Sequence, residues 1–122
     1  PGRLRLNHDG LWVVESIAVG GELVPPLPGT DLSLEFVDGR VAGGTGINRF
    51  TGAVANDPMF GPLATTMMAG SADHMSQERI YLDHLESIDS YEVDADEMRL
   101  ITGGLVVVTL ERPGTDQPSK TS

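Results

Sequence analysis

The stretch Leu32-Ser33-Leu34-Glu35-Phe36-Val37-Asp38-Gly39-Arg40-Val41-Ala42-Gly43 decides the fold class. Apolar and polar side chains alternate from Leu32 to Phe36, which is the period of a β-strand with one buried face. Asp38-Gly39 follows, and both residues tolerate the positive φ angles that a two-residue hairpin turn requires. Residues 40–43 then return as the partner strand. The stretch therefore predicts a hairpin within an antiparallel sheet.

Period-two patterns continue on both sides of this hairpin. A strand predicted at residues 11–18 has two apolar faces, one with Trp12 and Val14, the other with Leu11, Val13 and Ile17. Further strands are predicted at 50–55, 98–101 and 105–110, with a tight turn at Gly103-Gly104 before the last one. Residues 105–110 are mostly apolar and β-branched, which is typical of a strand covered on both faces.

One segment, from Ser71 to Ile88, changes period. Its apolar residues fall within one arc of a 3.6-residue helix: Met75, Tyr81, Leu82, Leu85 and Ile88. The rest of the helix surface is polar: Gln77, Arg79, Asp83, His84, Glu86 and Ser87. We expect Asp73 or Ser76 to cap the start of this helix. One helix among several antiparallel strands predicts an α+β domain.

Length and charge restrict the class of protein. The chain has 122 residues, 18 Asp and Glu against 8 Lys and Arg, and no Cys. We expect one domain over residues 1–112 and a flexible tail or linker over the Pro-, Ser- and Thr-rich residues 113–122. The acidic balance argues against nucleic acid as a partner, and no apolar run is long enough to insert into a membrane. Without Cys, thiolate metal sites and cysteine nucleophiles are excluded.

The acidic residues are concentrated in one part of the chain. Residues 73–97 contain nine of the 18 acidic residues and a single base, Arg79. Two interpretations remain open: a solvated surface, or a docking surface for a basic protein that includes Asp83, Glu86 and Asp89.

Glu78 lies inside the apolar arc of the predicted helix, where an unpaired carboxylate is unfavourable. It is either a general acid or base with a perturbed pKa, or a structural acceptor for backbone amides or Arg49. His74, one turn earlier, can share a face with Glu78. The sequence offers no third ligand at a recognisable spacing, so we expect no metal site.

Two short motifs suggest catalytic loops but lack their context. Residues 43–48 are rich in glycine, yet no Lys-Ser/Thr follows them and the next segment is a predicted strand, so a phosphate loop is not supported. We expect a bulged strand that needs close backbone approach. Residues 70–74 contain Ser, Asp and His but are not a nucleophile elbow, and we interpret them as the start of the helix.

Several motifs, taken in order, resemble the META domain of the HslJ-like heat-shock family. They span about residues 11–111: Trp12, the hairpin at 36–43, Gly46-Ile47-Asn48-Arg49-Phe50-Thr51-Gly52, Leu63-Ala64-Thr65-Thr66-Met67-Met68-Ala69-Gly70, Glu78 with Tyr81, Leu82 and Leu85, and the strand at 100–102. The residues that match the family motif are Asn48, Arg49, Phe50, Gly52, Thr66, Met68 and Glu78.

The resemblance implies a compact antiparallel sheet, curled toward a partial barrel, with one helix packed against it. It implies no established enzyme activity and no cofactor. Family members are typically small envelope-associated or secreted proteins linked to stress. Many carry Cys where this chain has Ile47 and Gly70. If those cysteines pair in relatives, this chain has lost a whole disulfide, and packing around Ile47 would have to compensate.

The odd position of Glu78 and the family motif together suggest a structural role. We hypothesise that Glu78 meets the Asn48-Arg49 segment where the helix crosses the sheet, and that this contact locks the helix in place.

Three functions follow from these observations. The first, which we favour, is a non-enzymatic envelope- or stress-associated module, monomeric, that binds a basic protein partner. The alternative is a module that holds a small apolar, lipid-like ligand on the concave face of the sheet. Its adaptable lining would be four methionines: Met59, Met67, Met68 and Met75. A hydrolase that uses His74 and Glu78 is the least supported of the three.

Overall fold

The structure is a computed structural model that describes residues 9–54, 60 and 63–113. In this part of the chain, nine strands form one antiparallel sheet, which is curled but not closed into a barrel. The strands are β1 (Gly10–Val19), β2 (Glu22–Val24), β3 (Ser33–Val37), β4 (Arg40–Gly44), β5 (Arg49–Ala53), β6 (Ala64–Thr65), β7 (Ser90–Asp94), β8 (Glu97–Thr102) and β9 (Leu105–Glu111), and the helix is α1 (Ala72–Ser87). Their order across the sheet is β6-β5-β4-β3-β1-β9-β8-β7, with β2 paired to β1 outside this order. The predicted α+β class is confirmed.

The hairpin predicted from residues 32–43 is present as β3 and β4. Asp38 and Gly39 have φ angles of 52° and 78°, as a two-residue turn with two left-handed residues requires. Leu34 and Phe36 are buried on the face that the alternation predicts. Val37 pairs with Arg40, and the pairing continues in register to Glu35 and Ala42.

The predicted faces of β1 are wrong at one residue. The register of β1 against β9 shifts between Val14 and Ser16, so the alternation restarts one residue later. Ile17 is consequently buried with Trp12 and Val14, although an unbroken alternation would place it on the opposite face. The shift moves the alternation by one residue, and an assignment that assumes strict alternation misses it.

Strand β9 is central in the sheet but is not covered on both faces, which corrects the prediction. Val108 and Leu110 are fully buried, whereas the side chain of Leu105 is 71% exposed. Val106 and Val107 are half-buried. The β-branched run therefore reflects pairing with β1 and β8 rather than burial on two sides.

The acidic segment that follows the helix contains a strand that the sequence did not predict. Residues Ser90–Asp94 form β7, which pairs with β8 at one edge of the sheet. Glu92 and Asp94 are exposed on this edge strand, and such charges disfavour pairing with another chain. The short strands β2 and β6 were likewise not predicted, since two or three residues carry too little periodicity to be recognised.

Gly43 confirms one part of the expectation for the glycine-rich segment. A Cβ at Gly43 would lie 2.1 Å from the Ser33 carbonyl oxygen and 2.7 Å from Cζ of Phe50. Strand β4 nevertheless pairs with β5 in continuous register. The close backbone approach is therefore present, and the predicted bulge is not.

The helix begins at a different cap from those predicted. Ser71 has extended backbone angles, and its Oγ accepts a hydrogen bond from the His74 backbone N–H at 3.2 Å, which is the usual N-cap geometry. Neither Asp73 nor Ser76 has this role, because α1 already includes both residues. The predicted start of the helix at residues 70–74 is confirmed.

The buried face of α1 is rotated relative to the predicted apolar arc. Tyr81 and Leu85 are buried as expected, whereas Met75 is 42% exposed. Gln77, predicted to be on the polar side, is buried because its Oε1 accepts from Leu27 N–H at 2.7 Å. His84, also predicted to be polar, is half-buried and its Nε2 donates to the Ala18 carbonyl oxygen at 2.7 Å. Polar contacts to neighbouring segments thus decide which face turns inward.

Helix α1 contributes side chains to the core. The Tyr81 ring packs edge-on against Phe50 with centroids 6.0 Å apart, and its hydroxyl donates to the Ser33 carbonyl oxygen at 2.8 Å. Among the residues that the structure describes, the core contains sixteen buried apolar residues, the largest of which are Trp12, Tyr81 and Phe50. No helix in the described part of the chain is long and apolar enough to cross a bilayer.

Burial raises the pKa of the Tyr81 phenol well above its ordinary value, because the phenolate would lose its hydration in the core. The folded state thus favours the protonated phenol. Its stability contribution is complete below the unfolded pKa of about 10 and is lost as the pH rises above it.

We therefore expect Tyr81 to make the fold sensitive to alkali. In a Tyr91→Phe variant, Tyr81 is the only remaining tyrosine. The reference is the double variant, Tyr81→Phe with Tyr91→Phe. Above about pH 10, the free energy of unfolding of the single variant should fall about 1.4 kcal/mol per pH unit more steeply than that of the double variant. Urea titrations at several pH values measure this difference. Phenolate absorbance that develops while the protein remains folded would contradict the burial of Tyr81.

Candidate functional site

A four-residue turn after β4 places Asn48. The Thr45 N–H donates to the Asn48 carbonyl oxygen at 2.9 Å, and the Asn48 N–H donates to Thr45 Oγ1 at 2.9 Å. Gly46, inside the turn, has a φ of 92°, which glycine adopts without strain. The turn holds the Asn48 side chain between the sheet, the segment at residues 66–68 and the helix.

The Asn48 side chain uses both its donors and its acceptor. It is 5% exposed. Its Oδ1 accepts from the Thr66 hydroxyl at 2.8 Å and from the Met68 N–H at 2.6 Å. Its Nδ2 donates to the Met68 carbonyl oxygen at 3.0 Å and to Glu78 Oε2 at 2.8 Å. A single amide therefore joins the segment at 66–68 and the helix to the end of β4.

Glu78 receives its hydrogen bonds on one oxygen. Oε2 accepts from Asn48 Nδ2 and, at 2.6 Å, from the Thr45 hydroxyl. Oε1 has no hydrogen-bond partner among the described residues. We call Thr45, Asn48, Thr66 and Glu78 the Asn48–Glu78 cluster.

The hypothesised contact between Glu78 and the Asn48-Arg49 segment exists through Asn48 and not through Arg49. The Arg49 side chain is exposed and makes no hydrogen bond or ion pair with a described residue. Alternation along β5 explains this, because Phe50 points into the core and Arg49 therefore points out. The suggestion that Arg49 pairs with Glu78 is wrong.

The remaining motif residues have structural positions. Phe50 and Gly52 are buried in β5. The Thr66 hydroxyl bonds Asn48 and also accepts the Arg49 backbone N–H at 3.0 Å. Met68 takes part through its backbone, while its side chain is 63% exposed.

Sequence reasoning missed Thr45. A usable signal was present, since residues 41, 43 and 45 continue the inward alternation of β4 and Thr45 is fully buried. A buried hydroxyl needs a partner, and the carboxylate of the helix supplies it.

A surface groove of about 350 Å³, which we call the methionine groove, borders the Asn48–Glu78 cluster. Its apolar walls come from the segment at 67–69 and from the helix, with Met67 91% exposed and Met68 63% exposed. Met75 and Leu82 complete the helical wall. The apolar-ligand hypothesis places the methionines on the concave face of the sheet, but Met67, Met68 and Met75 line this surface groove instead. Met59 lies outside the described residues.

The acidic surface has two parts. Asp83 and Glu86 are exposed on the helix beside Met75 and Leu82, in a shallow depression that adjoins the methionine groove. Asp89, also exposed, uses Oδ2 to accept the Gly103 N–H at 3.0 Å and thus supports the last hairpin.

A second depression, of about 400 Å³, is lined by five carboxylates: Glu15, Asp94, Asp96, Glu97 and Glu111. Glu15 comes from β1, far away in the sequence, and Glu111 lies opposite Glu97 in the last hairpin, so the charge distribution along the chain does not reveal this cluster.

His74 and Glu78 form no hydrogen bond or ion pair with each other. Its Nδ1 lies 2.9 Å from Ser71 Oγ, while the bonded oxygen of Glu78 points toward Thr45 and Asn48. Among the residues that the structure describes, no group of three or more His, Asp or Glu has the geometry of a metal site.

Ile47 and Gly70 are neighbours in space. A Cβ added at Gly70 would lie 3.0 Å from Ile47 Cδ1 and 3.2 Å from Ile47 Cγ1. Because Cγ1 is one bond from Cβ, the two Cβ positions are less than about 4.7 Å apart, which reaches the spacing of about 3.5–4.5 Å in disulfides. The Ile47 side chain occupies this space in the present chain.

The order of the strands and the helix, and the residues of the Asn48–Glu78 cluster, agree with the META motifs identified in the sequence. A family model of the META domain matches residues 5–114. The chain belongs to the META family. No curated protein matches it.

Two NMR structures have the same fold as this META domain. One, of a protein from Burkholderia xenovorans, has a TM-score of 0.72 and 24% sequence identity, over 87% of this chain and 83% of the other. The second has a TM-score of 0.59 and 22% identity, over 87% of this chain and 90% of the other.

The contact between Ile47 and Gly70 predicts that a disulfide can be introduced into this META domain. We expect Ile47→Cys with Gly70→Cys to form a bridge in oxidising buffer. The bridge should raise the free energy of unfolding by about 2 kcal/mol over the reduced form, at the low end of the usual range because the cysteines lose the packing of Ile47. Thiol titration and urea unfolding measure both effects. Free thiols in the folded, oxidised sample would show that the two positions are not adjacent.

Proposed function

We propose that this META domain is a non-enzymatic module of the cell envelope or of a stress response that binds a basic protein partner. The observation that carries the proposal is the helical surface, where the exposed carboxylates of Asp83 and Glu86 adjoin exposed methionines. Charge attracts and orients a basic partner, and a few well-packed residues that exclude water contribute most of the binding free energy. The envelope or stress association comes from the family likeness.

The helical surface suits a partner better than the five-carboxylate depression does. In the depression, Arg99 already pairs with Glu97 at 3.3 Å and with nearby Glu92 at 3.1 Å. Its lining is acidic apart from Ala95, so it offers no large apolar side chain as an anchor. The helical surface offers Met75 and Leu82 beside its carboxylates.

The alternative of an apolar ligand on the concave face has less support. Core side chains that include Trp12, Leu34 and Tyr81 are fully buried there, because the helix packs onto this face. An apolar hollow of about 250 Å³ exists instead between β1, residues 24–27 and the helix. Its volume is below the usual range for ligand pockets, about 300–1,000 Å³.

Charge reversal tests the proposed surface. Proteins captured from a lysate of the source organism on the wild-type domain should be identified, purified and titrated against two variants. We expect Asp83→Lys with Glu86→Lys to weaken the affinity of the true partner at least about tenfold. The salt dependence of binding should change as well. The matched control, Asp94→Lys with Asp96→Lys in the other acidic depression, should change it by less than about threefold. Equal affinity for both variants would contradict the proposal.

A further inference from the structure

The methionine groove combines an apolar wall with one fixed carboxylate. Met68 and Ala69 stand on one side, and Met75 and Leu82 on the helix stand on the other. Asn48 and Glu78 also line the groove. A contiguous exposed apolar surface is a candidate binding site, and the flexible thioethers of methionine adapt to varied partners.

The free oxygen of Glu78 is the distinctive feature of this groove. Oε2 is held by Thr45 at 2.6 Å and by Asn48 at 2.8 Å, so the carboxylate is immobilised. Oε1 is left without a partner among the described residues. A half-buried, oriented acceptor that bonds to no described residue is preorganised for an external donor.

We infer that this groove binds a lysine or arginine side chain presented by an amphipathic segment of the basic partner, an inference that rests on the proposed function. The aliphatic stem of such a side chain packs against the thioethers of Met68 and Met75. Its cationic head then donates to Glu78 Oε1 as a charge-assisted hydrogen bond. Neighbouring apolar residues of the segment cover Met67 and Leu82.

The surrounding charges favour a cation over an anion in the groove. Asp83 and Glu86 lie further along the same helix, and Arg79 is the only base within residues 73–97. Arg79 lines the adjoining depression and does not line the groove. The next basic residues of the segment face Asp83 and Glu86, whose two carboxylates outnumber Arg79 in that depression.

Methyl NMR on the whole chain tests this inference with a defined probe. The probe is a designed amphipathic peptide of Leu and Lys, about four helical turns or 14 residues long, and the control peptide has Glu in place of Lys. In protein labelled at the methionine methyl groups, the Leu–Lys peptide should shift the signals of Met67, Met68 and Met75. Met98 is fully buried and its signal should remain in place, which also reports an intact fold.

Glu78→Gln tests the carboxylate itself. The amide oxygen can still accept from Thr45 and Asn48, so the fold is retained, while the charge at the groove is lost. We expect affinity for the Leu–Lys peptide to fall about tenfold, which is the usual effect of losing a hydrogen bond between charged groups. Glu86→Gln, the matched loss of an exposed carboxylate on the same helix, should reduce affinity by no more than about threefold.

The outcomes separate this inference from the proposed function. If the peptide binds, and Asp83→Lys with Glu86→Lys weakens it while Met67, Met68 and Met75 do not shift, the groove inference is overturned and the acidic surface stands. If these methionines shift and Glu78→Gln weakens binding while the charge-reversed variant binds normally, the groove stands and the proposed surface fails. Equal binding of the Leu–Lys and Leu–Glu peptides overturns the inference, and no binding of either peptide overturns both proposals.

Discussion

Asn48→Asp should lower the free energy of unfolding by about 4 kcal/mol at neutral pH. The substitution keeps the acceptor for Thr66 and Met68 but replaces the Nδ2 donor with an oxygen. That oxygen would face Glu78 Oε2 at the 2.8 Å now spanned by a hydrogen bond, and the Met68 carbonyl oxygen at 3.0 Å. Two carboxylates in a site where Asn48 is 5% exposed repel each other strongly. Urea unfolding followed by tryptophan fluorescence measures the loss.

Arg49→Ala is the matched control for this prediction. Arg49 is the next residue and lies in the same family motif, but its side chain is exposed and unbonded among the described residues. We expect its removal to change the free energy of unfolding by no more than about 0.5 kcal/mol. If Asn48→Asp costs less than about 1 kcal/mol, or no more than Arg49→Ala, the hydrogen bonds assigned to Asn48 are not formed.

Gly43→Ala should destabilise the fold by a similar amount, about 4 kcal/mol. The added methyl group would lie 2.1 Å from the Ser33 carbonyl oxygen and 2.7 Å from the Phe50 ring. The nearest obstacle is a backbone atom of β3, so no side-chain rotation relieves the clash. β3 and β4 must therefore move apart, and the Phe50 ring must also shift.

Gly44→Ala provides the comparison one residue away. Its Cβ would lie 3.6 Å from the nearest atoms, which is ordinary van der Waals contact. We expect a change within about 0.5 kcal/mol, measured in the same urea titrations. Similar losses for Gly43→Ala and Gly44→Ala would show that the strands do not approach as closely as described.

The sheet was predictable wherever a strand has one buried face, because apolar and polar residues then alternate along the sequence. Leu32, Leu34 and Phe36 alternate without interruption, and Asp38-Gly39 specifies the turn, so the hairpin followed from local chemistry alone. Ile17 was misplaced because a bulge changes the alternation without changing composition. Strand β7 was missed because an edge strand needs only one half-buried face, and its exposed Glu92 and Asp94 resemble a loop.

The site was partly predictable for a different reason. A carboxylate in an apolar arc requires a partner, which identified Glu78 and indicated the segment at 48–49. The choice between Asn48 and Arg49 depends on the direction of each side chain from the turn after β4, and Thr45 enters through the same turn. Opposite charge favours Arg49 as the partner of Glu78, whereas the geometry of the turn brings the side-chain amide of Asn48 into contact with it.

The Asn48–Glu78 cluster connects stability with the proposed binding surface. Asn48 holds the backbone of Met68 on one wall of the groove and Glu78 on the other. The methionine side chains themselves contribute little to the core, because Met67 and Met68 are mostly exposed. Substitutions that break the hydrogen bonds of the cluster should therefore affect folding and binding together, and substitutions of Met67 or Met68 should affect binding alone.

A double-mutant cycle on Asn48 and Glu78 tests the central claim most directly, namely that their hydrogen bond fastens the helix to the sheet. The free energies of unfolding of Asn48→Ala, Glu78→Ala and the double variant give the coupling between the two side chains. We predict a coupling of at least about 1 kcal/mol, while the control pair of Asn48 and the exposed Glu86 should show less than about 0.3 kcal/mol. A coupling for Asn48 and Glu78 as small as that of the control pair would contradict the claim.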